Sequence, residues 1–591
     1  MIAFLHWLRS ILMGAVNGIA KAVMVLVLLL LALVVFGLLY GDGLPSNMVL
    51  AMDLRSPIAD SAAPAVFTAR KLTVMDVVLG LDAAGRDSRV KGVVMQTGYG
   101  ALSSAQGEEI AAAIARFRGK GKFVIAQASA FFGAGMGDYV AASAANEIWM
   151  MPKSPFGVSG TGGGEIFLRG LLDKVQAEPQ IAKRAEYKSA ADMFMEKSMS
   201  GPDREQLTRL MQSAYDQAVA KTAVNRHITA PEVVTALEAS PQFSEDALKA
   251  KLIDKTGYDD EAKAASELRA GSGAKTVKMT DYVHDVSEHY GRANIAIVQA
   301  SGEISDGTAK NSLLGGGEGI ASDDLSAAIL EAARDDNIKA IVLRVDSPGG
   351  SVTASDQILH AVKTAQKAGK PVVVSMGSVA ASGGYYISLS ANRIVAEPGT
   401  ITGSIGVLTG KVSFNKTANW AGVGVDHVSV GKNTLVDSPL QPYTPDQWAN
   451  LNHQADVIYD DFTRKVAEGR KLPLDKVHDI ARGRVWSGAD AQARGLVDSL
   501  GGFWTAAGAA AGLGHIPAAG VTFRTYPRPT GFWGSLARLS GGLDASLHLF
   551  GRIESLMNLP AAQALQEGIT SLPQGGPGSG VSLKAGPLPR T

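Results

Sequence analysis

Apolar and polar positions alternate along the chain in a pattern that is clearest in its second half. Four short runs are rich in β-branched residues, are bounded by turn residues and predict buried strands: 295–299, 340–345, 371–376 and 393–398. Between them, 322–336 and 351–369 have helical periodicity, with Ser322 and Ser351 as predicted N-caps. Strands that alternate with helices indicate right-handed crossovers and a mostly parallel sheet, so we expect an α/β fold.

The same pattern occurs earlier in the chain, which predicts an internal duplication. Three segments repeat in the same order at a nearly constant spacing: 47–60 with 294–306, 88–100 with 337–349, and 138–160 with 384–406. Repetition at a fixed spacing is typical of copied structural units. We therefore predict two tandem α/β domains, the first over 46–290 and the second over 291–520.

Residues 22–40 form an uncharged apolar run that is nearly long enough to cross a bilayer as a helix. Arg9 and Lys21 precede the run and Asp42 follows it, and positive charge tends to remain in the cytoplasm. We therefore expect residues 1–45 to form a short cytoplasmic N-terminus and one transmembrane anchor, with the body outside the cytoplasm. The alternative is a cleaved signal peptide, but the run exceeds a typical signal-peptide core and no clear small-residue cleavage site follows it.

The composition excludes several classes of function. The 591 residues include 56 basic and 56 acidic side chains, and the formal net charge of +0 argues against nucleic acid as a partner. The chain has no cysteine, so disulfides, thiolate metal sites and a cysteine nucleophile are excluded.

The C-terminal segment 521–591 differs in character from the two predicted domains. Residues 531–559 form a weakly amphipathic stretch, which we expect to pack on the body. The end of the chain is rich in glycine and proline, which predicts a disordered tail.

Three glycine-bearing loops follow predicted strands of the second domain: 344–351, 377–386 and 398–407. Because loops after parallel strands meet at one edge of the sheet, we expect these three to lie together. Ser382 in the second loop is flanked by small residues, and a helix beginning at Gly383 would direct its N–H toward a substrate carbonyl. Gly349 in the first loop would supply a second N–H and complete an oxyanion hole.

The first domain lacks these loop residues although it keeps the strands. Met136 takes the place of Ser382, and Ala101 takes the place of Gly349. If the motifs served only the geometry of the turns, both copies should keep them. Their loss from one copy favours a chemical role for Ser382 as a nucleophile.

A serine nucleophile needs a base, and the candidates are a histidine or a neutral lysine. His360 lies on a predicted helix face and His427 in a predicted strand, and neither is beside the three loops. A lysine can act as a base when burial lowers the pKa of its amine. Lys188 and Lys432 occupy nearly corresponding places in the two domains, and sequence spacing alone does not choose between them.

Taken together, these features resemble the long form of bacterial signal peptide peptidase A, a family of Ser/Lys peptidases with a Clp protease/crotonase-like fold. The resemblance covers about residues 20–520. It includes the anchor, the duplicated domain, and the motifs SPGGSVTAS, ASGGYY and TGSIG in that order. The segment after 525 departs from the family pattern.

The resemblance implies roles for five residues: Ser382 as nucleophile, Lys188 as general base, Gly349 and Gly383 as oxyanion-hole donors, and Ser404 as the residue that orients the lysine. The nucleophile would then come from the second domain and the base from the first. Lys432 is the alternative base, because the short form of the family carries both groups in a single copy.

The resemblance also implies a homotetramer and peptide substrates such as remnant signal peptides. The body would lie in the periplasm, anchored in the bacterial inner membrane through residues 22–40. No metal or other cofactor is implied, and 344–351 lacks the GK[ST] of a phosphate loop. Two alternatives are a crotonase-like enzyme that uses the same oxyanion hole on acyl-coenzyme A esters, and a non-catalytic membrane scaffold.

Overall fold

The computed structural model of the chain describes residues 43–61, 71–133, 135–287, 293–309, 319–527 and 582–584, together with Lys21 and Met24. Apart from Met24, the predicted anchor at 22–40 lies outside these ranges, as does the amphipathic stretch 531–559. Within the described residues, no helix is both long enough and apolar enough to cross a membrane.

Strands and helices alternate through the first unit, which extends to residue 287. Its strands are β1 (Met48–Asp53), β2 (Val90–Thr97), β3 (Phe123–Ala128), β4 (Glu147–Met150), β5 (Pro155–Phe156), β6 (Glu178–Arg184), β7 (Gln242–Phe243), β8 (Lys255–Thr256) and β9 (Lys275–Lys278). Its helices are α1 (Val74–Arg86), α2 (Ser104–Arg118), α3 (Met136–Ser143), α4 (Arg169–Lys174), α5 (Asp192–Met195), α6 (Gly201–Arg226), α7 (Ala230–Glu238), α8 (Ser244–Lys249), α9 (Asp259–Ala270) and α10 (Met279–Ser287), with a 3₁₀ turn at Ser189–Ala191.

The second unit repeats this alternation. Its strands are β10 (Ile295–Ser301), β11 (Ile304–Ser305), β12 (Ile320–Ala321), β13 (Ala340–Ser347), β14 (Gly349–Ser351), β15 (Val372–Ala381), β16 (Arg393–Ala396), β17 (Ile401–Gly403), β18 (Val407–Ser413), β19 (Val485–Ser487), β20 (Ser499–Leu500) and β21 (Phe523–Tyr526). Its helices are α11 (Ser322–Arg334), α12 (Val352–Lys367), α13 (Gly383–Tyr386), α14 (Asn415–Trp420), α15 (Pro445–Arg470), α16 (Leu474–Ile480), α17 (Gly488–Ala493) and α18 (Phe503–Leu513), with a 3₁₀ turn at Ala518–Gly520. A last strand, β22 (Ser582–Lys584), belongs to the tail.

One of the two predicted N-caps is confirmed and the other is wrong. Ser351 caps α12, since its side chain accepts the N–H of Ala354. The prediction for Ser322 is wrong, because α11 begins at Ser322 itself and Ala321 is its N-cap. The Ser322 hydroxyl donates instead to Gln357 Oε1 at 2.9 Å, which ties α11 to α12 rather than to its own first turn.

Each unit contains one main sheet, and six strands of the second sheet follow the same order as the six strands of the first, while β17 and the antiparallel β19 extend the second sheet further. The first runs β8-β4-β3-β2-β1-β9, and the second contains β20-β16-β15-β13-β10-β21. Every neighbouring pair in both series is parallel. The strands therefore correspond one to one, as the repeated sequence predicts. β21 carries the second sheet to Tyr526, beyond the predicted domain end at 520.

A further sheet joins the two units. Its strand order is β12-β11-β14-β22-β18-β6, so β6 of the first unit lies beside β18 of the second. The two strands pair antiparallel along their whole length, from Arg184 opposite Val407 to Glu178 opposite Ser413. This pairing brings the residues that follow β6 close to those that precede β18.

The tail contributes β22 to the same sheet, although the sequence predicts disorder there. β22 lies between β14 and β18 and pairs antiparallel with both, with Leu583 opposite Gly350 and Ser582 opposite Leu408. The facing edges of β14 and β18 carry backbone groups that an extended segment can satisfy on both sides. Composition alone does not reveal such a partner, which is why the prediction for these three residues is wrong.

The units also share apolar and ionic contacts. α18 belongs to the second unit, yet Phe503 and Ala510 are buried in the core cluster that contains most of the first unit. Arg344 of β13 is 1% exposed and bonds to two carboxylates of the first unit, Asp60 at 2.5 Å and Glu109 at 2.6 Å. A buried guanidinium needs such partners, and breaking the set would leave uncompensated charge. The two units therefore form one structural body.

Candidate active site

Ser382 lies between β15, which ends at Ala381, and α13, which begins at Gly383. Its backbone adopts φ 55° and ψ −113°, a conformation that is rare for a residue with a side chain. The N–H of Ser382 donates to the carbonyl oxygen of Gly403 at 2.8 Å, and its carbonyl accepts from Tyr386 N–H at 2.8 Å. These bonds hold the sharp turn that presents the hydroxyl at the end of the strand.

The glycines predicted as oxyanion donors pack against this turn. A Cβ on Gly383 would lie 3.1 Å from Gly349 Cα, and one on Gly350, whose φ is 155°, would lie 2.0 Å from the carbonyl oxygen of Ile304. The close approach therefore requires residues without side chains. Gly383 is the first residue of α13, so its N–H has no partner inside the helix. The N–H of Gly349 donates to Ser347 Oγ at 3.2 Å, a contact that the sequence did not predict.

Lys188 reaches Ser382 because β6 and β18 pair. Its Nζ lies 2.8 Å from Ser382 Oγ, and 3.0 Å from both the Oγ and the carbonyl oxygen of Ser404. Ser404 follows β17 and has φ 53°, so it also occupies a strained turn. The structure thus brings together residues from both units, and all five residues with predicted roles lie at the same edge of the second sheet.

The environment of Lys188 favours its neutral form. The side chain is 1% exposed, and burial lowers the pKa of its amine to about 7. Among the described residues, no carboxylate lies within ion-pair distance of Nζ, and its contacts are to hydroxyl and carbonyl oxygens. A neutral amine has two N–H donors and one lone pair. If the two N–H groups point at Ser404, the lone pair faces the hydroxyl of Ser382.

Two further residues position Lys188, and sequence analysis missed both. Gln206 Nε2 donates to the carbonyl oxygen of Tyr187 at 3.1 Å, while its Oε1 accepts from Val485 N–H at 3.3 Å. Gln206 therefore links the lysine loop of the first unit to β19 of the second. A Cβ on Gly483 would lie 2.6 Å from Lys188 Cβ, so the backbone packs directly on the lysine. Both act only through tertiary contacts, and no local sequence pattern marks them.

The other candidate bases lie elsewhere. Lys432 is exposed and forms an ion pair with Asp446 at 2.8 Å, which raises the pKa of its amine. His360 is exposed on α12, and His427 is exposed in a segment without a strand, so the strand predicted there is wrong. The apolar–polar alternation around His427 lies at the surface rather than in a sheet. Among the described residues, no cluster of three or more His, Asp or Glu side chains has the arrangement of a metal site.

The equivalent loop of the first unit is occupied by its own chain. The carboxylate of Asp138 is fully buried and accepts from the N–H groups of Gly98 at 3.1 Å, Gly100 at 3.0 Å and Leu102 at 2.8 Å. Asp138 stands where the second unit has Gly384. Three backbone donors of this loop are therefore used by its own chain, and Met136 supplies no nucleophile.

Comparison with known proteins agrees with this architecture. The chain matches the model of peptidase family S49 over residues 116–272 and 364–515, one match in each unit. The Clp protease model matches residues 318–397, which include β13 and β15.

Three curated relatives are similar over most of the chain. Protease 4 of Haemophilus influenzae is 35% identical over 460 residues, which cover 73% of this chain and 72% of the relative. The chloroplastic serine protease SPPA of Arabidopsis thaliana is 31% identical over 536 residues, covering 88% of this chain and 78% of the relative. Protease 4 of Salmonella typhi is 32% identical over 459 residues, covering 75% and 72%.

The fold and these matches define a serine peptidase with an α/β, Clp protease-like fold. The chain belongs to peptidase family S49. Membership of a serine peptidase family argues against both alternatives, the enzyme acting on acyl-coenzyme A esters and the non-catalytic scaffold.

The lowered pKa of Lys188 leads to a prediction about pH. If its neutral amine is the base, kcat/KM should rise with pH through an apparent pKa near 7, because the protonated form is inactive below that value. Lys188→Arg should abolish turnover at every accessible pH, since a guanidinium stays protonated. The pH profile of peptide hydrolysis measures both effects.

Lys432→Arg is the matched control and should keep the wild-type profile, because Lys432 is exposed and paired with Asp446. Activity that persists in Lys188→Arg, or that falls as pH rises through 7, would contradict the assignment.

Proposed function

We propose that this peptidase cleaves peptide bonds with a Ser382–Lys188 dyad. The single observation that supports it most directly is the 2.8 Å separation of Lys188 Nζ from Ser382 Oγ in a site without a neighbouring carboxylate. At that distance a neutral amine can take the hydroxyl proton directly. Ser404 orients the amine by accepting its two N–H groups.

In the acylation half of the reaction, Lys188 Nζ takes the proton from Ser382 Oγ, and the oxygen attacks the carbonyl carbon of the scissile peptide bond. The resulting oxyanion accepts hydrogen bonds from the N–H groups of Gly383 and Gly349. The Lys188 ammonium then gives its proton to the leaving nitrogen. The C–N bond breaks, the amine product departs, and an ester remains on Ser382.

The deacylation half repeats these steps with water. Neutral Lys188 takes a proton from a water molecule, which attacks the ester carbonyl from the side that the amine has left. The same two N–H groups stabilise the second oxyanion. The ammonium returns a proton to Ser382 Oγ as the C–O bond breaks, and the acid product leaves.

The oxyanion hole requires a rearrangement at Gly349. Its N–H donates to Ser347 Oγ at 3.2 Å, a long bond that a charged oxygen can replace. Removal of one oxyanion donor in other hydrolases costs about 3–4 kcal/mol of transition-state stabilisation, so this exchange matters for the rate. Rotation of the Ser347 side chain frees the donor without movement of the backbone.

The substrate binds as an extended strand between β14 and β18. In support of this, β22 already pairs antiparallel with both strands, and β14 begins at Gly349. Pairing of a peptide with exposed strand edges gives affinity through the main chain and leaves side chains to set specificity. A peptide in this position passes beside the Ser382 turn.

A serine-directed acylating probe tests the dyad. We expect the probe to label Ser382 in the wild-type chain, and Ser382→Ala to lower kcat for peptide hydrolysis by about 10⁴-fold or more. Ser272→Ala is the control, since Ser272 is exposed on the first unit. Hydrolysis that survives in Ser382→Ala, or label on another serine, would remove Ser382 from the mechanism.

The position of β22 predicts that the tail competes with substrate. A chain truncated after residue 580 should hydrolyse short peptides with a KM several-fold lower, because the slot between β14 and β18 is then free. Leu583→Pro should act in the same direction, since proline lacks the N–H that a central strand donates. Leu588→Pro, the same type of change outside residues 582–584, serves as the control. An unchanged KM in both the truncated chain and Leu583→Pro would contradict the competition.

We propose further that the enzyme acts on remnant signal peptides at the periplasmic side of the inner membrane, anchored by residues 22–40. The uncharged run and the basic residues before it support the anchor. A homotetramer is supported by apolar side chains that solvent reaches, among them Val428 at 94% and Val430 at 92% exposed.

Sedimentation and membrane washing test these two points. The detergent-extracted chain is expected to sediment as four copies, and the unextracted chain should remain with membranes after an alkaline wash. A variant that lacks residues 1–45 should be released. A monomer in detergent would contradict the assembly, and release of the full chain by alkali would contradict the anchor.

A further inference from the structure

A cavity of about 280 Å³ lies beside the dyad, and the proposed mechanism does not use it. Lys188 and Ser404 form one of its walls. Most of the remaining wall is apolar and is rich in methionine: Ile166, Met193, Met199, Leu207 and Met211. Methionine side chains are flexible and polarisable, so such a wall adapts to an inserted chain.

One carboxyl group interrupts this apolar lining. Glu165 lies in the cavity wall, and its carboxyl lies against that of Asp203. Burial, together with the contact and the charge of Asp203, raises the pKa of Glu165 to about 7. Asp203 is 1% exposed; its Oδ1 accepts from Gln206 Nε2 at 3.1 Å, whereas its Oδ2 has no hydrogen-bond donor among the described residues. The cavity therefore has one acidic wall residue, Glu165, and a second carboxylate, Asp203, lies behind it outside the wall.

No lysine or arginine among the described residues balances the charge of Glu165 and Asp203. The nearby Asp192 is paired with Lys183 at 2.6 Å, so that lysine is already engaged. Among the described residues that line the cavity, Lys188 is the only lysine, arginine or histidine. Its Nζ contacts Ser382 and Ser404 rather than Glu165. Within the described ranges, no lysine or arginine lies at ion-pair distance from Glu165 or Asp203. Two adjacent carboxyls without a cation are unfavourable when both are ionised.

A long side chain with a terminal cation matches both features of the cavity. Lysine and arginine bury their methylene stems along apolar surfaces while the charged head reaches a polar partner. The methionine wall fits the stem, and the Glu165–Asp203 pair fits the head, which would restore the missing charge balance. A neutral side chain of the same length would fill the apolar part and leave the pair unsatisfied.

We propose that this cavity is a specificity pocket that accepts a lysine or arginine side chain of the peptide substrate, with Glu165 binding the cation and the charge of Asp203 behind it supporting that contact. The inference rests on the proposed function, since the pocket is placed by its contact with Lys188 and Ser404. It also bears on the substrate class, because a signal peptide carries a basic segment directly before its apolar segment. Cleavage would then fall near the junction of those two segments.

Paired peptides test the pocket. The two peptides of a pair differ at one position near the scissile bond, where one has lysine and the other has norleucine, a side chain of similar length without charge. A series of pairs places this position at successive residues along the peptide. At one position we expect kcat/KM for the lysine peptide to exceed that for norleucine by about 10-fold or more, as for a hydrogen bond to a charged group. Glu165→Gln and Asp203→Asn should each reduce this ratio toward one.

Glu196→Gln is the matched control, because Glu196 is an exposed glutamate of the same region and lies outside the cavity wall. It should keep both the ratio and the activity. Equal hydrolysis of lysine and norleucine peptides at every position, or a ratio unchanged in Glu165→Gln and Asp203→Asn, overturns the pocket alone. If no peptide is hydrolysed and the acylating probe does not label Ser382, the proposed function falls, and the pocket falls with it.

Discussion

The burial of one amine without a counter-ion governs the rest of this site. Among the described residues, Lys188 Nζ hydrogen-bonds only to hydroxyl and carbonyl oxygens, and the low polarity around it makes the ammonium form costly. A carboxylate at the same distance would reverse the effect and hold the proton on the nitrogen. The site therefore depends as much on which groups are kept away from the amine as on those that touch it. Ser404 can accept the two N–H groups of a neutral amine and carries no negative charge.

Such an environment cannot be built by either unit alone. β6 leaves the first unit to pair with β18, and only this exchange brings the lysine loop to the serine turn. Gln206 and Gly483 then fix the loop from opposite units. The shared packing of α18 and the buried contacts of Arg344 hold the units at the separation that these short distances require. The candidate site therefore takes residues from both copies of the duplicated unit, so the interface between them is itself part of that site.

Much of the fold was readable from the sequence, since strand and helix periodicity depends on local pattern. The core strands of the second unit and the repeated order follow from apolar runs and turn residues, whereas the predicted loop 377–386 consists largely of the end of β15 and of α13. The choice of Lys188 over Lys432 did not follow from pattern, because both have apolar neighbours and differ only in tertiary burial. The misjudged cap at Ser322 and the strand expected at His427 have a similar cause. In each, a contact or an exposure set by distant residues overrode the local preference.

The carboxylate of Asp138 limits what evolution or design can do with the first unit. Because it takes up three backbone donors, a serine introduced at Met136 would face a loop that already holds an anion of its own chain. A second active centre would require at least a nucleophile, a base and the removal of the Asp138 carboxylate. None of these changes alone would be expected to give peptidase activity. A single substitution at Met136 would therefore not give the first unit a site of its own.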